Sequence, residues 1–175
     1  MIRKAKIEEV QEINKVIDDA KALFKQKGST QWQDLDGYPN VKTLTEDIIK
    51  DTLYVKEMEN KIVGVVAISK EIEKAYDKIY EGKWLNDEPY YVVHRLAVKK
   101  EYYGKGIARE LMDFSDNVAL NDGVFNIKVD TMENNTIMTN LLTKCGYVNC
   151  GVIYLLRKDV LDKRRLAFQK VLTKQ

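Results

Sequence analysis

The chain has one histidine, His94, and two cysteines, Cys145 and Cys150, in 175 residues. A single histidine puts histidine-rich metal sites out of reach, and no metal is expected. The cysteines do not form a C-x-x-C pair, so neither a zinc site nor a disulfide framework is expected. Two reduced thiols are the simpler reading. Long apolar runs are absent too. No stretch is long enough to span a membrane, and the N-terminal M-I-R-K-A-K-I-E-E-V has no apolar signal core. The expected location is the cytoplasm. Neither sign of charge dominates: 29 Lys and Arg face 27 Asp and Glu, a net charge of +2. That balance argues against a dedicated nucleic-acid binder, though not against a local anion site. Two nucleotide-loop signatures are also missing. There is no G-x-x-x-x-G-K-[ST], and Arg109 stands where G-x-G-x-x-G needs its third glycine.

What is present describes an ordinary globular protein, 45% hydrophobic and 32% charged, of a length that favours one domain over residues 1–175. Ile2–Ala5 reads as a short edge strand. An amphipathic helix opens at Lys6 or Ile7, with Val10, Ile13, Ile17, Ala20 and Phe24 as its stripe and Gly28 at its end. Gly28–Asn40 is a loop carrying Trp32 and Tyr38, and Val41–Lys50 is a second, short helix. Leu53–Met58 and Ile62–Ser69 read as an antiparallel hairpin across Glu59-Asn60-Lys61, with Gly64 as a bulge or close-contact point. Glu71–Pro89 is a polar excursion with Tyr76, Tyr80 and Trp84. Strands follow at Tyr90–Val98, Phe125–Thr131, Tyr147–Leu156 and Leu166–Leu172, and Lys158–Arg164 reads as a charged turn. A helix capped at Asn134 or Asn135 runs through Cys145 to Gly146. The order βααβββαβαββ predicts an α/β (α+β) fold, a mixed sheet with helices on both faces.

The stretch Val92–Glu110 organises this order. It is a strand, a tight Gly104-Lys105-Gly106 turn and a helix whose face is Ile107, Leu111, Phe114 and Val118. Such a loop aims backbone N–H groups at one point, at the positive end of a helix dipole, and so suits a phosphate-bearing ligand. A two-glycine loop alone is equally an ordinary strand-to-helix turn.

Its context is more specific. Leu96-Ala97-Val98 followed by Glu101-Tyr102-Tyr103-Gly104-Lys105-Gly106-Ile107-Ala108 resembles the acyl-CoA-binding motif of the GNAT (Gcn5-related) N-acetyltransferases. Asp130–Asn135, the helix through Cys145 and Gly146-Tyr147 are similar to that family's strand, asparagine, helix and G-F/Y segment. The resemblance implies a mostly antiparallel sheet splayed between its fourth and fifth strands, with acetyl-CoA as co-substrate in the opening. It also implies transfer of the acetyl group to a primary amine of a small molecule or peptide. The cofactor-binding residues it implies are Leu96, Ala97, Val98, Tyr103, Gly104, Lys105, Gly106, Ile107, Ala108 and Asn135. Two positions depart from the family pattern. Glu101 occupies the usual Q/R position, and Leu142 occupies the position of the tyrosine that commonly serves the departing thiolate. The missing tyrosine keeps an alternative open, a non-catalytic acyl-CoA-binding module of the same fold.

Three tasks follow: taking the amine proton, polarising the thioester oxygen and stabilising the thiolate. His94 is either the base or relay, or a packed strand histidine. Strict alternation would set it on one face with Leu96. Tyr147 and Tyr154 are candidate acids by proximity in sequence. Trp32, Tyr38, Trp84 and Tyr90 are either an aromatic acceptor pocket, with Asp34, Asp36, Asp87 or Glu88 drawing in a cation, or packing under long loops. The paired C-terminal strands are compatible with a homodimer.

Overall fold

The computed structural model describes residues 1–173. The elements are β1 (Ile2–Lys4), α1 (Val10–Gln26), α2 (Val41–Ile49), β2 (Leu53–Met58), β3 (Lys61–Ser69), β4 (Tyr91–Val98), α3 (Ile107–Asn121), β5 (Asn126–Thr131), α4 (Thr136–Lys144), β6 (Val148–Tyr154) and β7 (Arg164–Val171). Their order is the one the apolar pattern predicts. Most boundaries shift by one or two residues, and two of the differences have identifiable reasons. Ile7–Glu9 is a 3-10 turn rather than the first turn of α1, and Glu9 is held there by Arg3 at 2.6 Å and by the Lys6 amide at 2.9 Å. The charged segment expected as a turn ends before Arg164. Arg164 and Arg165 pair with Tyr154 and Ile153 as the start of β7, and Arg165 is buried.

Among the described residues, seven strands form one sheet in the order β1-β2-β3-β4-β5-β7-β6. Every pairing is antiparallel except β4 with β5, which are parallel and joined only at Tyr91↔Ile127 and Val92↔Lys128. Beyond Val92 the two strands diverge, which is the expected splay.

The sheet is covered on both faces. Ile13, Val16, Ile17 and Leu44 of α1 and α2 bury Val55, Val65 and Ala67 on one side. Ile107, Leu111 and Met112 of α3 bury Val63, Val66, Val93 and Ile127 on the other. Because β3 feeds both cores, it reads as an unbroken apolar run rather than an alternating one. Its Gly64 is both a bulge and a close contact. Lys56 pairs with Gly64 and Glu57 with Ile62, skipping Val63. A Cβ on Gly64 would lie 2.9 Å from Ile107 Cγ2 and 3.0 Å from Leu111 Cδ1, so the missing side chain lets α3 settle onto the sheet. α1 ends as predicted: Gly28 is left-handed at φ +73°, and the Ser29 amide reaches back to the Phe24 carbonyl at 2.9 Å. No helix among the described residues is long and apolar enough to cross a membrane.

Candidate functional site

The site is built on an irregularity in β4. Ala67 pairs with His94 and Val65 with Ala97, so Val66 alone faces Arg95 and Leu96. Arg95 takes a φ of +54°, a region that non-glycine residues seldom enter. The extra residue resets the alternation. His94 and Ala97 now lie over the α1 and α2 core, opposite Ala67 and Val65, whereas Leu96 packs against the α3 core. The expectation that His94 shares a face with Leu96 is therefore corrected, and the bulge is the reason.

Buried charge pins this bulge. Arg95 donates Nε to Asp47 Oδ2 at 2.5 Å and Nη2 to Asp47 Oδ1 at 2.8 Å, while Nη1 reaches the Tyr38 hydroxyl at 2.9 Å. Burial pushes the Asp47 carboxyl up and Arg95 pulls it down. The two-point geometry identifies a bidentate ion pair, and it offsets a backbone strain of about 1–3 kcal/mol.

Past the bulge, the opening between β4 and β5 leads into a groove of about 450 Å³. Leu96, Ala97 and Val98 form its β4 wall, and Tyr103, Gly104, Gly106, Ile107 and Ala108 form its far end. Asn135 and the first turn of α4 close the opposite side, with Ala20, Leu23 and Phe24 of α1 above. Gly104 and Gly106 have φ values of +76° and +78°, and nothing lies within 4 Å of where a Cβ would stand. Gly106 begins α3 without any side-chain cap, so the first-turn amides are left for a ligand. Asn135, in contrast, caps α4 through the Met138 amide at 3.1 Å and also donates to Gln31 at 3.2 Å. These features fit a diphosphate and its extended arm.

Of the sequence-predicted cofactor residues, Lys105 alone does not line the groove. Its ammonium lies 5.2 Å from the Tyr102 ring. Glu101 is exposed. Arg109 lines the groove and was missed. Its sequence signal was present as the residue that spoils a dinucleotide fingerprint, and it supplies a cation where the Q/R position does not.

A second cavity, about 280 Å³, opens on the other side of the bulge. Phe24, Leu96, Asn135 and Met138 line both spaces, so the two meet there. Loops 28–40, 70–90 and 155–163 supply much of its wall, including Trp32, Tyr38, Glu73 and Arg157. His94, Arg95, Asp130 and Arg165 come from the sheet. The His94 side chain keeps 27% of its surface accessible. Burial, then the positive charges of Arg95 and Arg157, lower its pKa to about 3. His94 is thus neutral near pH 7, and its 3.7 Å approach to Glu73 Oε2 is not an ion pair. Burial raises the Glu73 carboxyl above the usual range, the Ala75 amide opposes this, and the Asp130 charge adds to it. Burial likewise raises Asp130, which accepts from the Tyr76 hydroxyl at 2.7 Å.

The four aromatics divide. Trp32 and Tyr38 line the cavity; Trp84 and Tyr90 do not. These two pack on Tyr76, with ring centroids 5.3 and 6.3 Å away, and enclose the Lys128 ammonium at 4.1 and 3.9 Å. They bear on the site only by steadying Tyr76. Asp34 is buried beneath Arg157, Asp36 accepts from the Tyr38 amide, and Asp87 and Glu88 are exposed. The carboxylates of the cavity are Asp47, Glu71, Glu73 and Asp130 instead. Neither candidate acid lines either space. Tyr147 is 4% exposed in the α3 core, its hydroxyl without a partner among the described residues, and Tyr154 packs edge-on against Tyr80 at 5.2 Å.

Comparison with known proteins agrees with this geometry. A family model described as acetyltransferase (GNAT) family matches residues 16–147. A GNAT-family acetyltransferase structure from Streptococcus agalactiae is 34% identical, with a TM-score of 0.88 over 99% of this chain and 96% of its own. Streptothricin acetyltransferase from Escherichia coli is 32% identical over 60 residues, a match spanning 34% of each protein. The PaiA N-acetyltransferase of Thermoplasma acidophilum, solved in complex with coenzyme A, shares the fold at a TM-score of 0.67 and 14% identity, covering 98% of each chain.

Proposed function

The chain belongs to the acetyltransferase (GNAT) family, and we propose that it transfers an acetyl group from acetyl-CoA directly to a primary amine of a small molecule or peptide. The observation that carries this reading is the meeting of the glycine-ended groove with a carboxylate-bearing cavity at Leu96, beside the β4 bulge. Acetyl-CoA supplies the activated acyl carbon. Amides from Gly104 to Ala108 and the Arg109 guanidinium hold the diphosphate, and the unpaired main chain of Leu96 and Val98 holds the amides of the arm. A main-chain N–H at the bulge, released from regular pairing, donates to the thioester oxygen. Glu73, whose carboxylate is held by the Ala75 amide at 3.3 Å, accepts the amine proton, directly or through one water. The amine nitrogen bonds to the acetyl carbon, the C–S bond breaks, and the thiolate, with a pKa near ~8.5, leaves to solvent protonation. The two free cysteines, both buried, fit a reducing compartment such as the cytoplasm.

Release of free CoA thiol, followed across a panel of amines, tests the reading. The expected result is amine-dependent release together with thermal stabilisation by acetyl-CoA. Stabilisation without release on any amine would favour the binding-module alternative.

A further inference from the structure

The second cavity carries large apolar side chains at its rim that the protein leaves in water. Ile72 and Leu156 both line it, yet they are 80% and 63% exposed. They come from two different loops, and Ile72 directly precedes Glu73 in the chain. Phe24, Trp32, Leu155 and Met138 add apolar wall. A ligand that covers this surface gains from its removal from water.

The charges of the same cavity set a second condition. Its guanidinium groups are taken. Arg95 is held by Asp47 and Arg157 by Asp34, and Arg165 gives Nη1 to the Asp162 and Arg164 carbonyls at 2.6 and 2.9 Å. Glu71 meets Lys50 at 3.2 Å on the surface. Two carboxylates remain. The Glu73 side chain keeps 34% of its surface accessible, and Asp130 is half-buried. The Ala75 amide donates to Glu73 and the Tyr76 hydroxyl to Asp130, but among the described residues neither carboxylate has a Lys or Arg within ion-pair distance. With the ion pairs cancelled, Arg165 stands against Glu73 and Asp130, and one negative charge is left over. A ligand with a single positive charge balances it. A carboxylate on that ligand would find no free cation, and a second ammonium would have to lose water against Ile72 and Leu156.

We propose that the acceptor is a small monocationic amine with an apolar body, an alkylamine or arylalkylamine, and that Ile72 and Leu156 select it. Its ammonium enters against Glu73 and Asp130, and its apolar body lies on the rim. This rests on the acetyl-transfer reading and narrows it to amines that carry neither a carboxylate nor a second charge.

The test compares three pairs of amines. Hexylamine against ethylamine changes the apolar body, hexylamine against hexamethylenediamine adds a second charge, and phenethylamine against phenylalanine adds a carboxylate. Binding is measured calorimetrically to the CoA-saturated protein, and transfer by release of CoA thiol from acetyl-CoA. The first member of each pair should bind about tenfold or more tighter. Ile72→Ser combined with Leu156→Ser changes two exposed positions. It should bring hexylamine to within about threefold of ethylamine, with thermal stabilisation by CoA unchanged. Ile72→Val combined with Leu156→Met should keep most of the preference. Equal binding within any pair would overturn the proposal, and acetylation of both members would leave acetyl transfer standing. Failure of all these amines to bind would also overturn it, as would a preference for hexylamine that survives in the double serine variant. Selective binding without CoA release would support the recognition and sink the acetyl-transfer reading instead.

Discussion

The two cavities that meet at Leu96 are built by opposite means. The groove offers backbone amides, two left-handed glycines and apolar walls. The second cavity, the proposed acceptor site, is lined by carboxylates and guanidinium groups, among them Arg95 and Arg157 held by long-range pairs. Backbone recognition suits a ligand of fixed chemistry, because the main chain does not change with side-chain substitution. Paired charges suit selection among acceptors, since one altered partner leaves the other buried and unsatisfied. Damage to one cavity should accordingly spare the other, except at the bulge both depend on.

That exception gives the largest expected effect. Asp47→Ala leaves Arg95 buried without its carboxylate and removes the support for a strained φ of +54°. Breaking a buried pair in this way costs about 3–5 kcal/mol. Chemical denaturation should show that loss, and both CoA binding and acceptor binding should weaken together. A variant with full stability would mean that the bulge holds itself.

Glu73→Gln should separate the cavities. It is expected to lower kcat by about 100-fold or more, the range for losing a general base, with CoA-induced stabilisation unchanged. The acid limb of kcat/KM should lie above the ordinary carboxylate range, because burial raises Glu73, and activity should fall as pH drops through it. A wild-type limb that vanished in His94→Gln but survived in Glu73→Gln would reverse the two roles. His94 has its own signature. Its folded pKa of about 3 lies below the unfolded value of 6.5, so only the unfolded chain takes up this proton in between. Stability is therefore present above pH 6.5 and is lost as pH falls, by about 1.4 kcal/mol per unit. As the only histidine, it should let His94→Gln flatten the stability profile between about pH 6.5 and 5.

The difference between the cavities also explains what could be read from sequence. The groove is local information. Gly104, Gly106 and the face of α3 lie within one stretch, and glycine spacing plus helical period betrays them. The acceptor cavity is long-range information. Asp34 and Arg157 are 123 positions apart, and Asp47 and Arg95 are 48 apart. Nothing in either local sequence announces a partner. The bulge was hidden for a related reason: it sits at Arg95, with no glycine or proline to mark it, and tertiary ion pairing holds it. Arg165 was masked by its neighbours, since Lys163-Arg164-Arg165 reads as solvated charge although its last member is buried. Trp84 and Tyr90 were rightly grouped as aromatics, but their partner is Lys128 rather than a ligand.

Gly106→Val attacks the groove alone. A β-branched residue at φ +78° is strained, by about 1–3 kcal/mol, and its side chain would extend into the open space beside the α3 amides. CoA affinity should fall about tenfold or more, read by thermal shift, with Glu73-dependent chemistry retained at saturating acetyl-CoA. An unchanged affinity would remove the glycine turn from the diphosphate site.

Tyr147→Phe should have the smallest effect. Its hydroxyl is buried in the α3 core without a partner among the described residues, and burial pushes its pKa well above the usual value for tyrosine. Such a group holds its proton rather than delivering it, and it lines neither cavity. Deleting an unpaired buried hydroxyl removes a desolvation cost and leaves the ring's packing intact. Stability should be unchanged or slightly higher, and kcat should stay within about twofold of wild type. The two readouts are sensitive to different errors. A stability loss on the order of 1 kcal/mol would mean that the hydroxyl has a partner, such as the Asp116 Oδ1 atom that is also buried and unpaired. A tenfold fall in kcat with CoA binding retained would instead connect this core tyrosine to the thiolate, and would require α4 to move during the reaction.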